Sequence, residues 1–259
     1  MKWSQQAEQE ISRVPFFVRK RVRRKVEEEA AGTGATEVRL EHVHSCRKRF
    51  LSNMDSEVKG YQVENCFGPG GCPNRAARDE GMAQKLESLL AGKNLREILK
   101  ERVQGPLKMH HEFRVSVSDC PNACSRPQIV DVGLLGACRP SVSEEPCSQC
   151  GSCVETCREA AIELQAKADR PAIDYAKCLS CGQCLAACPT GTIREATRGY
   201  RILVGGKLGR HPQLGTELGP IFTAEEALEK VERCIEHYLR HNQCGERFGE
   251  ILKRTGLER

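Results

Sequence analysis

The chain has no uninterrupted apolar segment approaching the ~18 residues that a membrane helix needs, which excludes a helical membrane span. Its first ten residues, MKWSQQAEQE, lack the apolar stretch of a signal peptide. An excess of either charge is missing too. Forty Lys and Arg face 35 Asp and Glu, and the net charge of +5 is too mild to argue for nucleic acid. At 259 residues the chain is too long for a small secreted domain stapled by disulfides. Apolar residues at 39% and charged residues at 29% instead fit a cytoplasmic globular protein with a real core, divided into two or three small units.

Cysteine is abundant, with sixteen residues, and twelve of them are patterned. Two consecutive runs share one spacing: Cys147, Cys150, Cys153 and Cys157, then Cys178, Cys181, Cys184 and Cys188, the last followed by Pro189. Structural zinc prefers two CxxC knuckles separated by a spacer, whereas here four cysteines crowd into each short run. A 4Fe–4S cube takes three thiolates from such a loop and the fourth from elsewhere, so in two-cluster ferredoxins the last cysteine of each run serves the other cube. The expected sets are therefore Cys147, Cys150, Cys153 with Cys188, and Cys178, Cys181, Cys184 with Cys157. A third set is split, Cys66 and Cys72 lying far upstream of Cys120 and Cys124. Taken alone, that set suits either a cube or a zinc ion. Cys46, Cys138, Cys234 and Cys244 follow no pattern and are expected to be small buried hydrophobes. So many thiolate ligands predict a reducing, oxygen-poor compartment.

The first 45 residues are predicted to form a small helical unit. Phe17, Val18, Val22 and Val26 recur near helical spacing after Pro15, and the segment 32–38 breaks the helix before Glu37 to Val43 resumes regular structure. The basic run Arg19 to Lys25 is a solvated face or a cradle for a polyanion. Beyond Met54 the pattern turns to α/β. Residues 83–102 predict a helix interrupted near Gly92, whereas 113–118, 129–135 and 200–204 predict strands. The last of these strands enters the glycine-rich turn 205–210, where glycines would let backbone amides approach a ligand closely. Thr223 and Glu226 form a capping box that opens a helix with Leu228, Val231, Ile235, Tyr238 and Leu239 on one face, ending near 242–245.

Several segments resemble known families. Trp3, Ala7, Ile11, Pro15 to Arg19, Arg23, Glu27, Ala30 and Thr36 to Val38 are similar to the small C-terminal domain of the B subunit of light-independent protochlorophyllide reductase, a domain that sits beside a tetrapyrrole. Residues 113–136 (FRVSVSDCPNACSRPQIVDVGLLG), with Cys66 and Cys72 upstream, resemble the cluster-binding segment of the sulfite and nitrite reductase family. Residues 200–210 and 245–251 are similar to the closing part of the same domain. With a two-cluster ferredoxin inserted, the order is most similar to the anaerobic, dissimilatory-type sulfite reductase catalytic subunit.

The resemblance implies an α+β fold: a small helical domain at 1–45, a sulfite-reductase-like α/β domain at 46–140 and 193–259, and a ferredoxin-like dicluster insert at 141–192. It implies three 4Fe–4S clusters and sirohaem, with Cys124 bridging the split-site cube to the sirohaem iron and Asn122 beside the macrocycle. Because sirohaem is a polycarboxylate, cations are expected near it: Arg126, Lys207, Arg210 and the Arg19 to Lys25 run. The family's Lys-Phe-Lys pattern, which faces the bound oxyanion, aligns with Glu112, Phe113 and Arg114. There Arg114 would bind an anion and Glu112 would repel one, while His110 and His111 would supply protons or partial charge.

The implied function is a sirohaem and iron–sulfur oxidoreductase that reduces a small oxyanion, sulfite or nitrite. Electrons would reach it from a donor protein or from other subunits of a redox complex. A full reductase carries a further half-domain ahead of the cluster motif, so a second chain is expected to complete the sirohaem pocket. The rival reading is a non-catalytic iron–sulfur subunit of a larger complex. A third, a tetrapyrrole-handling protein, draws only on the N-terminal resemblance.

Overall fold

A computed structural model describes residues 1–164 and 170–256. Two compact units emerge, Met1–Val58 with Gly105–His110, and Lys59–Gln104 with His111–Arg259.

In the first unit, β1 (Lys2–Trp3) leads into α1 (Gln5–Ser12), whose first turn is capped by the Ser4 hydroxyl accepting from the Ala7 amide. Pro15 then opens α2 (Phe16–Gly32), and β2 (Glu37–Val38) pairs in parallel with β1 before α3 (Leu40–Glu57) begins. The division drawn at residue 45 thus falls inside a helix. Ala7, Val26, Ala30, Val38 and Val43 form the core, with Trp3, Val22 and Cys46 packed against it. The apolar face expected of α2 is shorter than its spacing suggested. Phe16 and Phe17 are exposed, because the first turn of α2 projects beyond the core that Val22 and Val26 reach.

The second unit opens with β3 (Tyr61–Asn65), α4 (Met82–Ala91) and α5 (Leu95–Arg102), the two helices separated at Gly92 as expected. The strand β4 (Phe113–Ser118) matches its predicted span. A short 3-10 turn over Pro127–Ile129 delays the next strand, so β5 covers Val132–Val142 rather than starting at Ile129. Next come α6 (Ser152–Thr156), β6 (Ile162–Leu164), β7 (Pro171–Ile173) and α7 (Gln183–Ala187). The chain returns through β8 (Ile193–Val204) and β9 (Thr216–Phe222), and closes with α8 (Ala224–His241) and α9 (Phe248–Thr255). The Thr223–Glu226 capping box forms at the start of α8.

One five-stranded sheet, in the order β3-β4-β5-β8-β9, organises this unit. The first three strands are parallel and the last two pairings antiparallel. Phe113, Val115, Val117, Leu134, Ile202, Val231, Ile235 and Phe248 are buried. Phe113 packs on Tyr238 and Phe248, with ring centroids 4.9 and 5.6 Å apart. Asp131, at the entry to β5, accepts from both Nε and Nη2 of Arg247 and from the Arg114 and Phe248 amides, which ties α9 to the sheet. β5 and β8 run on together past the rest of the sheet, as far as Val142 and Ile193, with a shift of register at Arg139 and Pro140. The cysteine-rich segment is mounted on this arm. Helical and sheet elements alternate and then segregate, an α+β arrangement.

Candidate functional site

Parallel strands deliver their outgoing loops to the same edge of a sheet, and β3 and β4 do so with the split cysteine set. Cys66 continues the ladder past β3, its amide donating to Val117 O at 3.0 Å. The Cys66 Sγ in turn accepts from the amides of Gly68 and Asp119, both at 3.3 Å. The turn over Gly68–Gly70 then brings in Cys72, whose amide donates to Gly68 O. Asp119, directly after β4, ties this loop down. Its carbonyl accepts from the Ala76 and Ala77 amides at 2.8 and 3.0 Å, and its carboxylate pairs with Arg75 at 2.8 Å. Gly68 is glycine by necessity, since a Cβ there would sit 2.3 Å from the Asp119 carboxylate.

The four thiols meet at this edge. Burial pushes the Cys120 thiol up, and Cys124, Cys66 and Cys72 add to the shift by repelling its charged form. Ala123 and Arg126 take positive φ, and the tight loop they shape turns Cys124 outward, where its sulfur accepts from Asn122 Nδ2 at 2.9 Å. Among the described residues no three His, Cys, Asp or Glu side chains crowd onto a single metal-ion position. A cube places a separate iron at each thiolate and so takes a wider set. The donor chemistry here, four free thiols with amides aimed at sulfur, fits a cube. The exposed Cys124 thiol fits an outward ligand to a second group.

The paired runs repeat each other in backbone as well as in spacing. Gln149 and Ser180 share φ near 57°, Gly151 and Gly182 φ near 75°, and both runs enter a five-residue helix at the third cysteine. Amides donate to sulfur in the same way, Gln149 to Cys147 and Ser180 to Cys178, each at 3.4 Å. The runs also cross over. Burial raises the Cys153 thiol, with further pressure from Cys188 and Cys147. Cys184 is pushed up to about 12 by burial, then by Cys181, Cys178 and, from the other run, Cys157. Cys153 and Cys184 meet in one small apolar cluster with Ile162 and Ile193.

Glu112 does not face the thiols. It is buried at the entry end of β4, and its carboxylate accepts from the Lys59 amide at 3.0 Å and from that of Gly60; burial raises its pKa against those bonds. Arg114 stands at the same end, beside Gln62 on β3. His111 begins this part of the second unit, whereas His110 belongs to the first. A strand rises ~3.3 Å per residue, so Arg114 is roughly 20 Å along β4 from Cys120. The turn 205–210 is also at the entry end, because Val204 pairs with Val132 and Val132 with Val115. Gly206 serves the domain's own packing there, since a Cβ would meet the carbonyl oxygens of Gln128 and Val130 at 2.4 and 2.8 Å. Lys207 is paired with Glu250, and Arg210 is exposed. Arg126 reaches Glu64 at 3.8 Å from an exposed position. In the first unit Arg19 donates to the Ser12 and Val14 carbonyls, Arg23 pairs with Glu8 and Arg24 with Glu28, so much of the basic run serves its own helices.

Of the unpatterned cysteines, Cys138 and Cys234 are buried and Cys46 is half-buried, but Cys244 is exposed with positive φ in the turn after α8. Sequence reasoning passed over Asp119, Arg75 and Tyr200. Tyr200 is buried with a hydroxyl that has no hydrogen-bond partner among the described residues. Burial raises its pKa, with the neighbouring carboxylates of Asp119 and Asp79 next in weight. Only the position of Asp119, between a strand and a cysteine, gave any signal in the sequence.

A mixed sheet with thiols gathered at its parallel-strand edge, and again along one arm, defines an α+β protein of the iron–sulfur class. Residues 61–259 match the family described as nitrite and sulphite reductase 4Fe-4S domain, and the chain belongs to that family. Residues 3–47 match the family described as proto-chlorophyllide reductase 57 kD subunit. The coenzyme F420-dependent sulfite reductase of Methanocaldococcus jannaschii is 34% identical over 193 residues, covering 74% of this chain and 28% of that protein. A subunit of the anaerobic sulfite reductase of Salmonella typhimurium is 24% identical over 127 residues, covering 48% of this chain and 36% of its own. The chain thus spans about a third of the length of these relatives. A dissimilatory sulfite reductase I structure shares the fold, with a TM-score of 0.50 and 20% identity over 81% of this chain and 55% of its own. No described helix is long and apolar enough to cross a membrane.

Proposed function

We propose that this chain is a sulfite- or nitrite-reductase-type oxidoreductase that wires three 4Fe–4S cubes to a sirohaem. The observation that carries this reading is the meeting of Cys66, Cys72, Cys120 and Cys124 at one strand edge, with Cys124 alone turned outward. Those four residues would hold one cube, and Cys124 would also ligate the sirohaem iron. Cys147, Cys150, Cys153 and Cys188 would hold a second cube, and Cys178, Cys181, Cys184 and Cys157 a third, within a dicluster segment at 141–192. The helical segment at 1–45 has no part in this electron path.

When bound, the sirohaem supplies the multi-electron reduction of a small oxyanion. The protein's own part is positioning and tuning. The amides of Gly68 and Asp119 and the Asn122 side chain donate to ligand sulfurs, which stabilises the reduced cube. Arg126 holds Glu64 in an exposed pair worth only ~0–1 kcal/mol, so it can exchange that partner for a macrocycle carboxylate. Arg210 is exposed but lies in the turn at the entry end of the sheet, away from Cys124. Arg114, His111 and Lys207 have no contact with substrate in this reading, and a second chain supplies the anion-binding cations of the pocket.

One observation favours the rival reading, an electron-transfer subunit without sirohaem. Within the second unit the turn that carries Lys207 and Arg210 is at the far end of the sheet from Cys120, and Lys207 is already committed to Glu250. Anaerobic purification after co-expression with sirohaem synthesis separates the two. The first reading expects about twelve cluster irons with as many acid-labile sulfides, and one further iron in extractable sirohaem. A protein with the full iron content and no macrocycle is the electron-transfer subunit. One that never exceeds about eight irons, with zinc in the remainder, overturns the split-site assignment.

A further inference from the structure

The basic run of α2 takes no part in the cysteine sites, and half of it faces outward. Phe17, Lys20, Arg21 and Arg24 follow the i, i+3, i+4, i+7 spacing of one helix face, and all of them are exposed. That face is turned away from Val22, Val26 and Ala30, which meet the core of the first unit. At its leading end Phe16 is 83% exposed and Phe17 74%, with ring centroids 5.7 Å apart and planes at 88°. A single exposed apolar residue is ordinary. Two touching phenyl rings at the head of a row of cations form a contact surface.

The cations of this face are largely uncommitted. Among the described residues no carboxylate pairs with Lys20 or Arg21. Arg24 has Glu28, the acid that follows on the same face, at 3.5 Å between exposed side chains, a weak pair in water. At the flank the Lys25 ammonium lies 5.9 Å from the centroid of the Phe50 ring, and Phe50 on α3 is itself 55% exposed. Arg19 and Arg23 are the inward members of the run, bound to the Ser12 and Val14 carbonyls and to Glu8.

Charge and ring geometry select the occupant. A second copy of the chain would set Lys20, Arg21 and Arg24 against like charges, which opposes docking. Single-stranded nucleic acid stacks on free ring faces, whereas here the edge of one ring stands against the face of the other. An acidic protein would have to offer a pocket shaped to two projecting rings. An anionic bilayer needs none, since phenyl rings enter its interface while Lys and Arg stay with the headgroup phosphates. We propose that the outward face of α2 docks the first unit on an anionic phospholipid surface. Phe16 and Phe17 enter between the headgroups, and Lys20, Arg21, Arg24 and Lys25 lie against their phosphates.

The test is sedimentation of the full chain, purified anaerobically, with two kinds of vesicle. One is phosphatidylcholine alone, and the other is phosphatidylcholine and phosphatidylglycerol in equal parts. The protein should pellet with the mixed vesicles and not with the neutral ones, and added salt should release it. Phe16→Ser combined with Phe17→Ser should weaken binding by about tenfold or more, with the melting temperature unchanged because both rings are exposed. Lys20→Glu combined with Arg21→Glu should also weaken it, each lost cation costing about fivefold. Phe17→Trp reads insertion directly: against the background of Trp3, the one native tryptophan, its emission should shift to the blue with mixed vesicles only. Equal binding to both vesicles, no binding to the mixed ones, or binding that survives loss of both rings overturns the proposal. So does a stronger, Phe-dependent affinity for oligothymidylate or polyglutamate, which assigns the face to nucleic acid or to an acidic protein. A dimer that the Phe substitutions disperse assigns it to a second copy and overturns the proposal as well.

Discussion

Asp119 and Cys66 are joined by a hydrogen bond from the Asp119 amide to the Cys66 sulfur, at 3.3 Å, although 53 residues separate them in the chain. The same residue accepts from two amides of the loop after Cys72 and carries a buried carboxylate held by Arg75. Removing one partner of such a pair strands a buried charge and costs ~3–5 kcal/mol. Arg75→Leu should therefore lower the unfolding free energy by about that amount, and Asp119→Asn in the same chain should recover part of it. Chemical denaturation of both variants and their combination checks the coupling.

Gly136 gives a second prediction at this junction. A Cβ there collides with the Asp119 backbone, which cannot swing aside as a side chain would. Overpacking of this kind costs about 1–3 kcal/mol. Gly136→Ala should lower the melting temperature and shed iron from the split site before the two runs lose theirs. Iron analysis along a mild chelator titration reads the order.

Asn122 donates to the Cys124 sulfur at 2.9 Å, and hydrogen bonds to ligand sulfurs help set cluster potentials. Bonds to charged groups contribute ~1.5–3 kcal/mol, and this one favours the more negatively charged, reduced state. Asn122→Leu should shift the midpoint of the split-site cube to more negative values with iron content unchanged. An anaerobic redox titration measures it.

Much of this architecture was legible from spacing. A strand such as β4 shows as alternation, and the Thr223 capping box is a local signal that needs no tertiary information. The cysteine runs are legible for the same reason: their geometry is set within a few residues, and the structure repeats it in φ and in amide-to-sulfur bonds. What stayed hidden depends on register. Nothing local in the sequence indicates that Val204 lies level with Val115, and hence that Lys207 is at the opposite end of the sheet from Cys120. Nor does any pattern mark Tyr200, whose burial beside Asp119 follows from pairing across three strands. The exposed Phe16 and Phe17 show the converse, a helical period that continues past the core it was expected to fill.

The two cysteines after β4 should respond differently to substitution. Cys120 is partly buried within the thiol group, whereas Cys124 is exposed and turned outward. Under the proposed function, Cys120→Ser disturbs the cube first. Cys124→Ser disturbs cube and macrocycle together, because one thiolate serves both. Visible spectra with sirohaem extraction distinguish the two outcomes.

Glu112 supplies the last prediction, and here the structure reverses what alignment with a family lysine implied. Were Glu112 in an anion pocket, Glu112→Lys would raise sulfite turnover. The carboxylate instead accepts from the backbone at Lys59 and Gly60 at the entry to β4, in a buried position. A lysine there has no acceptor role to fill and places an ammonium in a desolvated site, a mechanism that costs several kcal/mol. Glu112→Lys should thus destabilise the fold and leave turnover no better. Glu112→Gln keeps the acceptor oxygen. Burial raises the Glu112 pKa above its ordinary value, so the native state binds that proton more tightly than the unfolded chain does. The wild type therefore loses stability as pH rises from the ordinary carboxylate value through the raised one, and the Gln variant does not. Unfolding free energies of the two proteins should lie closest in acid and diverge in favour of Glu112→Gln as pH rises towards neutrality. A gap that closes with rising pH would show that the charged form is the stabilised one.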